Sequence, residues 1–146
     1  MPTINWNKVS FDSEISEMRR IAEHFTPDKD TTRKQAVDGN LKYLRQHYTK
    51  SVPAILTNQI WSKLGNTDSW NTRTLSDVNK AILDNSKTSG MRDSTSIVME
   101  YMSGVVRCPI VLQTEDGYTL IAGNTRLMVA KALGVIPKCV IIKTDW

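Results

Sequence analysis

Cysteine and histidine are scarce in this chain, with two of each in 146 residues. Cys108 and Cys139 make neither a disulfide framework nor a zinc set. Both fall at or in strand-like stretches, which reads as two reduced, partly buried thiols in a reducing compartment. His24 and His47 fall on separate helical stretches with no carboxylate or thiol at ligand spacing, so no metal site is expected of them. No apolar run approaches the ~20 residues that a membrane helix needs. The start, Met1-Pro2-Thr3-Ile4-Asn5-Trp6, has no basic stretch followed by an apolar one, so no secretory leader is expected and the cytoplasm is the expected location. Walker A, Gly-x-Gly-x-x-Gly, His-Glu-x-x-His and Gly-x-Ser-x-Gly motifs are all absent. No block of like charges occurs either, although the net charge is +4. A mildly basic surface admits a nucleic-acid or nucleotide partner without demanding one.

What the chain does contain is a segregated pattern: helix-like stretches first, strand-like stretches last. Ile15, Met18, Ile21, Ala22 and Phe25 recur at helical spacing after Asp12 or Ser13 as a cap, and Thr26-Pro27-Asp28 ends the run. A second helix is predicted from about Thr31 to Tyr48, with Val37, Leu41, Leu44 and Tyr48 on its apolar face and Gly39 weakening it. Leu56, Ile60 and Leu64 mark a third, and residues 66–73 read as a polar loop. Thr74-Leu75-Ser76-Asp77 resembles a capping box for a fourth helix carrying Leu75, Val78 and Ile82. Residues 84–92 are rich in Asn, Ser, Thr, Lys and Gly and read as a mobile surface loop. Asp93 or Ser94 starts a fifth helix, with Ile97, Val98, Tyr101 and Met102 on one side and Gly104 at its stop. Short strands at Thr3 to Trp6 and Val52 to Leu56 are weaker expectations. The predicted class is α+β, a single domain over 1–146 with a helical region at 1–90 and a sheet-bearing core at 91–146.

The densest information lies near the carboxyl end. Pro109-Ile110-Val111-Leu112-Gln113 and Tyr118-Thr119-Leu120-Ile121-Ala122 flank Asp116-Gly117, a strong hairpin signal. Gly123 follows where the chain must reverse, Asn124 or Thr125 can cap the next helix, and Gly134 suits its end. Lys138 to Lys143 is a further strand. The turn Gly123-Asn124-Thr125-Arg126 is the candidate site, because a helix amino terminus offers free N–H groups to an anion and Arg126 adds a fork of donors. Helical phase puts Arg126 near the buried side, pointing along the sheet end. The competing reading pairs Arg126 with a carboxylate such as Glu115 or Asp116. Those two adjacent acids read first as turn residues; they could also hold Mg²⁺ near a phosphate. Trp61, Trp70, Trp146, Tyr101 and Tyr118 could stack bases, but their spacing suits core packing equally.

Pro109 to Leu112, Asp116-Gly117-Tyr118, Leu120 to Leu127, Ala130, Leu133-Gly134 and Val140 to Ile142 resemble the core of the ParB/sulfiredoxin-like superfamily. The likeness covers about the last 50 residues and extends weakly back to the helix at Ser96 to Gly104. It implies a small mixed sheet with a hairpin and a strand–turn–helix–strand unit, and a phosphate cradle at Gly123, Asn124, Thr125 and Arg126. The implied ligand is a nucleotide or phosphorylated small molecule, ATP or CTP with Mg²⁺. Asn124 stands where sulfiredoxins carry their catalytic cysteine, which argues against sulfinic acid reduction. The DNA-binding helices that follow this core in partition proteins have no counterpart before Trp146, which argues against specific DNA-site binding. Small standalone ParB-like domains of bacteriophages resemble the chain in this respect. Three functional expectations are carried: the first is nucleotide or phosphate binding with a phosphotransfer or hydrolysis step left open, and the second is a non-catalytic nucleic-acid-binding or regulatory module of phage type. An interaction protein with a vestigial turn is the third.

Overall fold

The computed structural model describes residues 3–26, 33–85 and 94–146. The predicted mixture of helices and small sheets is what it shows. In chain order the elements are β1 (Asn5–Asn7), a 3₁₀ turn (Phe11–Glu14), α1 (Ile15–His24), α2 (Arg33–Lys50), β2 (Ala54–Ile55) and α3 (Asn58–Trp61). A second 3₁₀ turn (Ser69–Asn71), α4 (Leu75–Asn85) and α5 (Ser94–Ser103) follow. The chain then runs through β3 (Val105–Arg107), β4 (Ile110–Thr114), β5 (Gly117–Ala122), α6 (Asn124–Leu133) and β6 (Lys138–Lys143).

Four strands form one sheet in the order β2-β6-β4-β5. β4 and β6 run parallel, with Val111 opposite Ile141; β5 ends and β6 begins at the same end of the sheet, beside Pro109, so α6 and residues 134–137 return the chain to the end it left. The hairpin β4–β5 is antiparallel, and its register slips between Ile110 and Val111 so that Ile121 is the extra residue. The Asp116-Gly117 signal needs adjustment. The two turn residues are Glu115 and Asp116, and Gly117 opens β5 with the positive φ, at +130°. β1 pairs in parallel with β3, and β2 in antiparallel with β6. Both weakly expected early strands therefore exist, and both join partners beyond residue 91. One core runs through the two regions, from Trp6 and Phe11 to Val140 and Ile142.

Local chemistry explains most boundaries. Ser10, rather than Asp12 or Ser13, caps the first turn, its hydroxyl accepting from the Ser13 amide at 3.3 Å. The Thr74–Asp77 capping box is reciprocal: Asp77 N–H donates to Thr74 Oγ1 at 3.2 Å, and Thr74 N–H to the Asp77 carboxylate at 3.1 Å. The backbone amides of Arg73 and Thr74 hold the Asp77 carboxyl below its ordinary range. α3 is only one turn long; Leu56 and Leu64 are buried outside it. Met102 projects outwards from α5 at 62% exposure, against the expectation that it shares the face of Ile97 and Tyr101. Asp84 and Asn85 belong to α4, and the rest of the loop expected at 84–92 lies outside the described residues, as do Pro27, Asp28 and Thr31. No helix among the described residues is long and apolar enough to cross a membrane.

Cys108 and Cys139 are fully buried, beyond the partial burial expected. Burial pushes their thiols up, Cys108 to about 11 and Cys139 to about 12. An unfolded chain ionises its thiols near pH 8.5 to 9, while the folded chain keeps its protons to higher pH. The stabilisation is thus complete below about pH 8.5 and is lost as pH rises through about 11 for Cys108 and about 12 for Cys139. Urea midpoints should fall over that interval, and less steeply in a Cys108→Ala/Cys139→Ala double variant. Gly39 sits on the exposed side of α2 with no atom within 4 Å of where a Cβ would be. Gly39→Ala should therefore stabilise the protein by about 1 kcal/mol in the same measurement.

Candidate functional site

β5 gives way to α6 at Gly123, with φ +103°. A Cβ there would lie 2.8 Å from both Cα and Cβ of Pro109, which leads into β4. Only glycine tolerates both the backbone conformation and that approach. Asn124 and Thr125 belong to the helix instead of capping it, and Gly123, which has no side chain to offer, occupies the cap position. The first bond of the helix runs from Leu127 N–H to Gly123 O at 3.0 Å. The amides of Asn124 and Thr125 have no partner among the described residues.

Arg126 follows the predicted phase and is buried, its side chain 4% exposed. Its Nη1 donates to the Arg107 carbonyl at 3.2 Å, and Nη2 lies 3.9 Å from Glu14 Oε1. The neighbouring acid is thus Glu14, in the first 3₁₀ turn, and not Glu115 or Asp116. Tyr101 Oη donates to the Arg126 carbonyl at 2.6 Å and ties α5 to the first turn of α6. Arg107 in turn grips Glu100 through two bonds of 2.9 and 3.0 Å. Burial raises the Glu100 carboxyl, and Arg107 outweighs it, leaving the group below its ordinary range. The guanidinium of Arg126 lies inside the fold, beneath the turn, on the buried side that its helical phase predicts.

Glu115 and Asp116 sit at the hairpin tip, separated from Gly123 by the whole of β5. At ~3.3 Å per residue that is about 20 Å. The idea that they hold Mg²⁺ at the turn is corrected on that ground. The carboxylates that do line the mouth are Glu14 and Glu17, joined by Arg20, which pairs with Glu17. The three stand at i, i+3 and i+6, so one face carries them all, a spacing visible in the sequence but without meaning until the packing is known.

Two cavities meet at Asn124. One, of about 170 Å³, lies between Glu14, Glu17, Arg20, Asn66 and the stretch 120–124. The other, of about 570 Å³, is lined by residues 64–68, Ala81, Asn124 and Met128. Asn66 and Asn124 border both. Asn66 has φ +62° and donates its side-chain amide to Leu120 O at 3.1 Å, while Gly65 bridges Thr119 on the outer edge of β5. The aromatic candidates are mostly spent on packing. Trp61 is buried and meets Trp70 edge-on, Lys131 lies 3.6 Å from the Trp70 ring centre, and Trp146 stacks on Phe25. Tyr101 is fully buried, and Tyr118 is partly buried on β5. His24 is exposed beside Phe25, and His47 Nδ1 lies 2.9 Å from Tyr43 O within α2.

The fold defines an α+β protein with a sheet-to-helix turn open on two adjoining cavities. No family model matches the chain, and no curated protein or solved structure matches it.

Gly123→Ala should cost about 3 kcal/mol or more, combining a strained φ with a clash against Pro109 backbone. Chemical unfolding measures it; a loss under 1 kcal/mol would mean that β4 and α6 can move apart.

Proposed function

We propose that the protein binds a nucleotide or another phosphate-bearing ligand across the mouth of α6, together with Mg²⁺. The observation that carries this reading is the pair of amides at Asn124 and Thr125, beside the two cavities, that have no partner among the described residues. Uncapped amides at the positive end of a helix favour a bound anion. The cavities together fall within the size range of small-molecule sites. The resemblance of residues 109–142 to the ParB/sulfiredoxin-like core points to the same turn.

Electrostatics decides how such a ligand would be held. Arg126 is occupied below, so the cradle consists of Gly123, Asn124 and Thr125, with Arg126 as its buried support. Glu14 and Glu17 line the same mouth and would repel a bare polyphosphate. Mg²⁺ resolves the conflict, because it is held by one or two carboxylates plus waters and ligand phosphates. Glu14 and Glu17 are the residues that would hold it. The cation would supply charge neutralisation between those carboxylates and the phosphate.

Thermal unfolding with ATP, CTP, GTP or pyrophosphate, each with and without Mg²⁺, tests the reading. Ligand at a hundred times its Kd adds about 2.7 kcal/mol, or a rise of roughly 5–10 °C in Tm for a chain of this size. At least one phosphate-bearing compound should give such a rise, adenosine should give none, and Glu17→Gln should remove the part that depends on Mg²⁺. Flat melting temperatures across the whole panel would reject the proposal.

A further inference from the structure

Asn124 is not free to choose its orientation. Thr67 Oγ1 lies 2.5 Å from Asn124 Oδ1 and 2.9 Å from Ser69 Oγ, and Trp61 Nε1 donates to Ser69 Oγ at 2.8 Å. A hydroxyl has one proton. The amide oxygen can only accept, and its contact is the shorter, so the Thr67 proton goes to Asn124. Ser69 must then donate to Thr67, having accepted from the indole. The Ser69 amide donates to Thr67 Oγ1 as well, at 3.1 Å, which fills the second lone pair. The chain of donors runs one way: Trp61 to Ser69 to Thr67 to Asn124. At its end the Asn124 Nδ2 faces Met128 Sδ at 3.7 Å, a weak acceptor that cannot donate. A flipped amide would set its oxygen against that sulfur and break the sequence of donors. Ser69 is completely buried and Trp61 nearly so, so water does not compete for the relay at its source.

We propose that Thr67, fixed by Ser69 and Trp61, is a positioning residue that locks the Asn124 amide with its oxygen turned away and its NH₂ presented to the junction of the two cavities. The inference rests on the ligand reading above and deepens it. One amide hydrogen meets Met128, and the other has no partner among the described residues. The site therefore offers a donor at this point and selects a ligand group that accepts, as a phosphate oxygen does. It also gives residues 61–69, which lie outside the stretch resembling a known core, a task at the site.

A double-mutant cycle separates positioning from general stability. The probe is whichever of Mg-ATP, Mg-CTP, Mg-GTP or pyrophosphate binds the native chain most tightly, with Kd read by calorimetry. Thr67→Val, which keeps shape and loses the donor, should weaken binding about three- to tenfold, the range of one neutral hydrogen bond. Thr67→Ser should restore it. In an Asn124→Ala background, Thr67→Val should have no further effect. Should Thr67→Val fail to fold, Ser69→Ala interrupts the relay one link earlier and should weaken binding in the same direction. Unchanged affinity in both relay variants, or an equal loss in the Asn124→Ala background, overturns the positioning role while leaving the ligand reading intact. A native chain that binds none of the four probes removes both.

Discussion

Everything at the carboxyl end hangs on the contact between Gly123 and Pro109. A side-chain carbon at position 123 would sit 2.8 Å from the Pro109 backbone, so the strand entering the sheet and the strand leaving it touch without any spacer. That closeness lets β5 turn at once into α6 and sets the helix start at the sheet end. It also leaves the helix without a side-chain cap. A serine or aspartate at the cap position would have satisfied one orphan amide and contributed ~1 kcal/mol. Glycine trades that for the turn, and the free amides beside the cavities are the consequence.

Arg126 takes its place from the same geometry. Starting the helix at Asn124 carries the third residue inwards, under the turn, among Tyr101, Arg107 and Glu14. Burying a guanidinium costs several kcal/mol unless it is paired and hydrogen-bonded. The Arg107 carbonyl and the Glu14 carboxylate supply those partners from two distant parts of the chain. The residue thus fastens the first 3₁₀ turn and β3 to the base of α6. Exposing it as a phosphate ligand would forfeit that junction, which is why the cradle in the proposed reading is made of backbone and Asn124.

Features governed by neighbours along the chain are legible in the sequence alone. The hairpin around residues 115–117, the Thr74–Asp77 box, the stop at Gly134 and the strand at Lys138–Lys143 each rest on chemistry within four or five residues. Features governed by long-range packing are not. Nothing at Asn5–Asn7 announces a parallel partner at 105–107. Nothing in Glu14 or Glu17 announces that α1 lies beside the end of β5. Gly65-Asn66 offers a clue, since that pair suits positive φ, but its bridge to Thr119 spans a long stretch of chain. The Arg126 phase is readable and its partner is not, because phase is a property of one helix and the partner belongs to another element.

The boundary at residue 90 does not divide the packing around the turn, because one core spans both regions. Residues 91–146 build the hairpin and the turn, yet each group that would discriminate the proposed ligand there is set by residues 1–90. Glu14 and Glu17 fix the sign of the charge at one cavity. Asn66 borders both cavities, and Thr67 orients the amide between them. The chemistry of the proposed ligand is therefore set by the elements that close over the turn and not by the turn alone.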